Sequence, residues 1–463
     1  MINKYTTLLV AAILAGAKLQ AVTLQLPAHI VVNIAIEGLD ANTLDSYSTL
    51  FGSEGLNELI NNGTYCNKGY YNYKPVNPAS AITTIVTGTS PYYHGITGDM
   101  CLNKSSLRPV SCVYDTKYSC SAVNIKSSTL GDELKIATKG KALVYSIATD
   151  SISAILSAGH SADGAFWLNS PNGRWNSSVY YPSQSRKWLK SYQKVLSNSA
   201  GTIADANART CELALACING MALGKDDVTD LINITLNSGN CYTPLNSELA
   251  LIQLNKDISK LLTTLKQSVG SDKMLVTLTG FKPEAVYDDD ETYQRYKVPN
   301  GKIDFARTAN LLNIYLSAIY GQGKYIDAIF GNEIYLNQKL LEDKNIAFND
   351  LYAKCKELLY LTDGIKKVYS PRTLNDSYEQ RAHDPKVCGD IVVETNPGWK
   401  IVNSGKRTPY STQYAITTYP IIICGNGFNA QKVSTPVDVE RIAPTICSSI
   451  HIRAPNACEA LPL

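Results

Sequence analysis

Histidine is scarce in this chain: 463 residues carry five, His29, His94, His160, His383 and His451. None follows a strand-like run in an Asp-His or Asp-x-x-x-His setting, so a three-histidine zinc site would have to be assembled from unrelated loops. No C-x-x-C pair occurs either, which excludes the common zinc-ribbon and zinc-finger frameworks. Charge of one sign is also lacking. With 43 Lys and Arg against 40 Asp and Glu, the net charge is +3, and no basic run interrupts the chain. That balance excludes nucleic acid as a partner class. Beyond the amino terminus no apolar run is long enough to span a bilayer.

Cysteine, by contrast, is plentiful. Twelve are present, an even number, with local groupings at Cys101, Cys112 and Cys120, at Cys211 and Cys217, and at Cys447 and Cys458. Disulfides in an oxidising compartment are the expectation, with pairing left open. The amino terminus agrees. Lys4 precedes a short apolar core at 8–16 (LLVAAILAG), and small-residue cleavage sites follow at Ala15-Gly16-Ala17 or Leu19-Gln20-Ala21. This reads as a secretory signal over 1–21, leaving 22–463 exported to the periplasm or outside the cell, without a lipid anchor.

Several runs read as buried strands. HIVVNIAIEGLD at 29–40 is almost continuously apolar until it breaks at Glu37-Gly38, and ALVYSIAT (142–149), DLINITLNS (230–238) and MLVTLT (274–279) follow the same pattern. Between the last two, Leu251, Leu254, Ile258, Leu261, Leu262 and Leu265 form a 3.6-period stripe. Strands alternating with amphipathic helices predict an α/β sandwich with helices on both faces. In KPVNPASAITTIVTGTSPYYHGITGD (74–99), Asn77 suits an N-cap, Pro78 the first helical position and Gly88 the end, with a loop after it. The Asn233-Ile234-Thr235 sequon falls inside a strand and reads as incidental. The acidic run 288–291 lacks the spacing of a calcium loop and reads as surface.

The segments at 29–40 and 74–99 resemble the alkaline phosphatase superfamily. The branch is that of the type I phosphodiesterases/nucleotide pyrophosphatases, near the bacterial phosphatases with a threonine nucleophile. AILSAGHSADGAFW (154–167), 306–337, 340–361, 389–394, PIIICG (420–425) and 434–458 extend the likeness over nearly the whole mature chain. The resemblance implies a central, mostly parallel sheet with helices on both faces and an accessory insertion at about 285–385. It also implies two zinc ions and a threonine nucleophile in such enzymes.

The family positions carry other residues here. Glu37 stands for a metal-binding Asp, Pro78 for the nucleophile and Asp99 for an Asn. Asp150 and Ile152 stand for a Lys and an Arg that contact phosphate. Asn240 and Pro244 stand for one Asp and His, Thr279 and Gly280 for another, and no His lies between His383 and His451. His94 and His160 read as structural, held by backbone carbonyls. Ser80, Thr83 and Thr84 read as helix-interior hydroxyls bonded to the preceding turn.

The expectation is therefore an exported protein of this family that has lost zinc binding and phosphoryl transfer. No cofactor is expected, and the role is binding or scaffolding in the cell envelope for an unidentified partner. Two alternatives remain. One is a metal-dependent phosphate- or sulfate-ester hydrolase with relocated ligands. The other is a module taking a small cation or amine at Glu37, Asp99 and Asp150.

Overall fold

The computed structural model describes residues 27–169, 173–195, 206–239, 244–282, 295–373, 378–402, 412 and 417–463. The expected secretory signal at 1–21, Asn240 and the acidic run 288–291 lie outside them.

Ten strands form one sheet. In chain order they are β1 (Ile30–Glu37), β2 (Thr64–Tyr70), β3 (Val144–Ala148), β4 (Gly164–Asn169), β5 (Arg174–Ser177), β6 (Asp230–Asn237), β7 (Met274–Phe281), β8 (Tyr419–Gly425), β9 (Gln431–Val433) and β10 (Val437–Asp438). The spatial order is β9-β2-β8-β7-β1-β6-β3-β4-β5, with β10 beside β2. β1 lies between β6 and β7, parallel to both, whereas β8 runs antiparallel to β7. A central strand covered on both faces must be apolar throughout, and every residue of β1 before Glu37 is buried.

Asn33 is the polar exception, and its partners explain it. It accepts from the Thr277 hydroxyl (2.8 Å) and donates to Asn233 Oδ1 (2.9 Å). Asn233 in turn donates to the Ser157 carbonyl (2.9 Å). Buried amides cost little when satisfied in this way. Asn233 is thus committed inside the sheet, as its place in a strand implied.

Helices cover both faces. On one lie α1 (Pro78–Thr87), α2 (Leu130–Ala137) and α3 (Ser151–Ala158); on the other lies α4 (Pro244–Val269). The leucine and isoleucine stripe of α4 is wholly buried, as its period required. α1 begins as its sequence indicated. Asn77 accepts from Ser80 N–H in a reciprocal capping box, Pro78 takes the first helical position, and Gly88 closes the helix at φ 65°. The expected loop after it contains one further helical turn, Pro91–His94.

Residues 301–402 carry a separate hydrophobic core, built on a four-stranded antiparallel sheet and the helices Phe305–Tyr320 and Phe348–Tyr360.

The cysteines correct an expectation: the eleven described ones are all free thiols. For one grouping the geometry forbids a bridge. Cys211 and Cys217 lie on a single helix, six residues apart and so separated by about 9 Å along its axis, beyond the reach of a disulfide.

Candidate functional site at the head of helix α1

Parallel strands gather functional groups beyond their carboxyl ends, and β1, β3 and β6 all end near the first turn of α1. Glu37 is the last residue of β1 and accepts from the Asn237 side-chain amide (3.1 Å) at the matching end of β6. Asp150 follows β3 as the N-cap of α3, where its carboxylate accepts from Ser153 N–H (2.9 Å). Asp99 returns from the segment after α1 and accepts from Ala79 N–H (3.0 Å). Its own carbonyl is held by Cys112 N–H (2.9 Å).

The three acids feel one another. Burial, then Asp150 and Asp99, lift the Glu37 carboxyl to a pKa of about 7, against the Asn237 hydrogen bond. Burial also raises Asp99, opposed by the Ala79 N–H and reinforced by Asp150. The charge at the head of α1 is therefore held at a cost, despite the favourable helix terminus.

Pro78 offers neither a hydroxyl nor an N–H at this head. Ile152, in the first turn of α3, packs half-buried against the apolar core. Pro244 is the first residue of α4.

The strand read from sequence as 274–279 runs two residues further, so Gly280 as well as Thr279 lies inside it. In β7 they pair with Ala35 and Ile36 of β1. Gly280 reads as a breaker in sequence, yet parallel pairing continues through it to Phe281. A Cβ at Gly280 would stand 2.2 Å from the Leu39 carbonyl oxygen and 2.8 Å from the Pro420 ring, so no side chain fits there. The Thr279 hydroxyl is fully buried and has no hydrogen-bond partner among the described residues.

The α1 hydroxyls and the imidazoles of His94, His160 and His383 are occupied. Thr83 bonds the Ala79 carbonyl (2.7 Å), and the Ser80 hydroxyl belongs to the capping box. Thr84 departs from expectation, bonding Tyr73 and His94 instead of the preceding turn. His94 departs likewise. Its Nδ1 accepts from Ile96 N–H (3.1 Å), so the proton sits on Nε2, facing Thr84 Oγ1 at 3.2 Å. Burial holds its pKa down to about 3. His160 does meet a carbonyl, that of Ile125 (3.0 Å), and also pairs with Asp132 (2.9 Å). His383 Nδ1 lies 2.6 Å from the Glu379 carbonyl.

Sequence reasoning missed two roles. Asn237 becomes the partner of Glu37 through strand register across 200 residues, for which no local signal exists. Asp150 as a cap was legible in Asp-Ser-Ile-Ser opening a helix.

Known proteins share this architecture. Alkaline phosphatase PafA of Elizabethkingia meningoseptica is 23% identical, over 94% of this chain and 93% of its own. Alkaline phosphatase PhoV of Synechococcus elongatus is 21% identical over 92% and 90%. The crystal structure of wild-type PafA superposes with a TM-score of 0.79, covering 94% of this chain and 98% of that one. Murine ectonucleotide pyrophosphatase/phosphodiesterase 5 gives a TM-score of 0.57 over 92% and 95%. The family model for type I phosphodiesterase / nucleotide pyrophosphatase matches residues 31–419, and the chain belongs to that family.

Proposed function

We propose that this family member binds rather than hydrolyses, having lost both the zinc pair and phosphoryl transfer, and serves as an exported binding or scaffolding protein of the cell envelope. One observation carries the reading: the helix head where a phosphoryl group would be received presents Pro78 and the Asp99 carboxylate on Ala79 N–H. A helix N-terminus attracts an anion through its free N–H groups and dipole. Here one N–H is missing, the next is engaged by a carboxylate, and Glu37 and Asp150 add like charge. A phosphate ester would meet repulsion where catalysis needs a clamp.

Among the described residues the donor set does not fit two zinc ions. Zinc takes imidazole, thiolate or carboxylate. The strand ends offer Glu37, already bonded to Asn237, then the Thr279 hydroxyl and Gly280. His94, His160 and His383 are engaged elsewhere. Export rests on reading the Lys4 and 8–16 apolar pattern as a secretory signal. Among the described residues no helix is long and apolar enough to cross a membrane.

The test is metal content of the purified, untagged protein, with hydrolysis of chromogenic phosphate mono- and diesters in added zinc. Near-zero metal and background turnover are expected. Stoichiometric zinc with robust turnover would overturn the reading and make Glu37, Asp99 and Ser80 the first residues to substitute.

A further inference from the structure

Among the described residues no cation stands against Glu37 or Asp99 at the head of α1. The charges acting on Glu37 are those of Asp150 and Asp99, and the charge acting on Asp99 is that of Asp150. Their hydrogen bonds come from neutral groups: the Asn237 amide, Ala79 N–H and Ser153 N–H.

An independent feature lies on the same face of the sheet, one strand over from Glu37. Thr279 is wholly buried, and its hydroxyl has no partner among the described residues. Register sets its direction. Ala35 pairs with Thr279 and Glu37 with Phe281, and side chains two apart in a strand share a face. Ala35 and Phe281 belong to the core that includes Ala79 in the first turn of α1. The Thr279 hydroxyl therefore looks toward the α1 side of the sheet, on the adjoining strand to Glu37. A buried hydroxyl without a partner is costly unless something bonds it.

The spacing restricts the ligand. Among the described residues, no three Asp, Glu, His or Cys stand close enough to hold one metal ion. Separated carboxylates with a hydroxyl oxygen between strands suit a cation that carries several N–H donors. Those acceptors reward N–H groups, which a primary ammonium supplies and a quaternary one does not.

Resting on the reading that this helix head no longer receives phosphate, we propose that Glu37, Asp99, Asp150 and Thr279 form a binding site for an organic cation bearing primary ammonium groups.

Calorimetric titration of the full-length protein with putrescine tests this, with choline, magnesium chloride and inorganic phosphate as comparisons. Saturable binding of one putrescine per chain is expected. Glu37→Gln and Asp99→Asn should each weaken it by about tenfold to a hundredfold, the worth of a charged hydrogen bond. Thr279→Val, nearly isosteric, should weaken it with no change in site charge. Choline should bind at least about tenfold more weakly, having no N–H to donate.

Absence of putrescine binding to the folded protein overturns the inference, as does unchanged affinity in Glu37→Gln and Asp99→Asn. Tighter binding of magnesium that displaces putrescine overturns it too, in favour of a metal. If Thr279→Val does not fold, the two carboxylate variants decide. A metal-free, inactive protein that ignores putrescine removes this inference alone, whereas stoichiometric zinc with turnover removes the underlying reading.

Discussion

Two carboxylates in this protein, Asp132 buried and Asp99 half-buried, sit at helix heads and live in opposite circumstances. Asp132, in the first turn of α2, accepts from Thr129 N–H and hydroxyl, from His160 and Ser161 N–H, and from the His160 ring. Burial pushes its pKa up, but the His160 and Thr129 bonds outweigh it and leave the carboxyl below its usual value. Asp99 at the head of α1 accepts from Ala79 N–H, faces another acid, and is held above its usual value. Burial alone therefore does not decide an acid's role. Saturation with donors marks the first as part of the frame, and the shortage of donors marks the second as a place for something else.

The largest effect expected from this contrast is on stability. Asp132→Ala leaves several buried donors and the His160 ring without their acceptor, and should cost about 3–5 kcal/mol, read from urea denaturation. A loss like that of an ordinary surface site would end the distinction. Gly280→Ala comes next. The added methyl would stand against the Leu39 carbonyl oxygen, so about 1–3 kcal/mol should be lost. A neutral outcome would reopen this position to a ligating side chain.

A subtler effect concerns pH. Glu37 has a folded-state pKa of about 7 against an ordinary 4.5. The folded protein thus favours its neutral form, and this contribution is present below about 4.5 and lost as pH rises through about 7. Glu37→Gln should flatten that decline in the urea midpoint, and an unchanged slope would show that Glu37 is not its source. The Asp132–His160 pair works the other way. Asp132's contribution is lost as pH falls through its lowered pKa, and that of His160, whose pKa is raised mainly by its bond to Asp132, is lost as pH rises past the raised value.

The smallest expected effect is on catalysis. Pro78→Thr returns a hydroxyl and an N–H to the head of α1, yet hydrolysis should remain at background because Asp99 still occupies Ala79 N–H. Measurable turnover in that variant would mean that one substitution separates this site from an enzyme.

Local signals were enough for the elements that build the site. The apolar run ending at Glu37, the Asn77-Pro78 start of α1 and the α4 stripe each state their structure within a dozen residues. Coupling across the sheet leaves no local signal. Thr279 closes the apolar run and Gly280 breaks it, and only pairing with β1 shows that the strand continues to Phe281. Asp132 and His160 lie 28 residues apart and meet because α2 and the turn after α3 pack together. Cysteine spacing misled for a related reason: proximity along a helix is not proximity of sulfur atoms.

The amide row through Thr277, Asn33 and Asn233 has a consequence for the rim above it. Each strand could in principle slide past its neighbour with little loss of apolar contact, since valine and isoleucine pack much alike. The amides cannot slide. A shift of one residue would turn Asn33 to the opposite face and strand two buried amide groups without partners. The row thus acts as a levelling mark: four residues above it, Glu37 and Asn237 are delivered to the same height. An interaction deep in the sheet thereby sets which side chains stand together at its mouth.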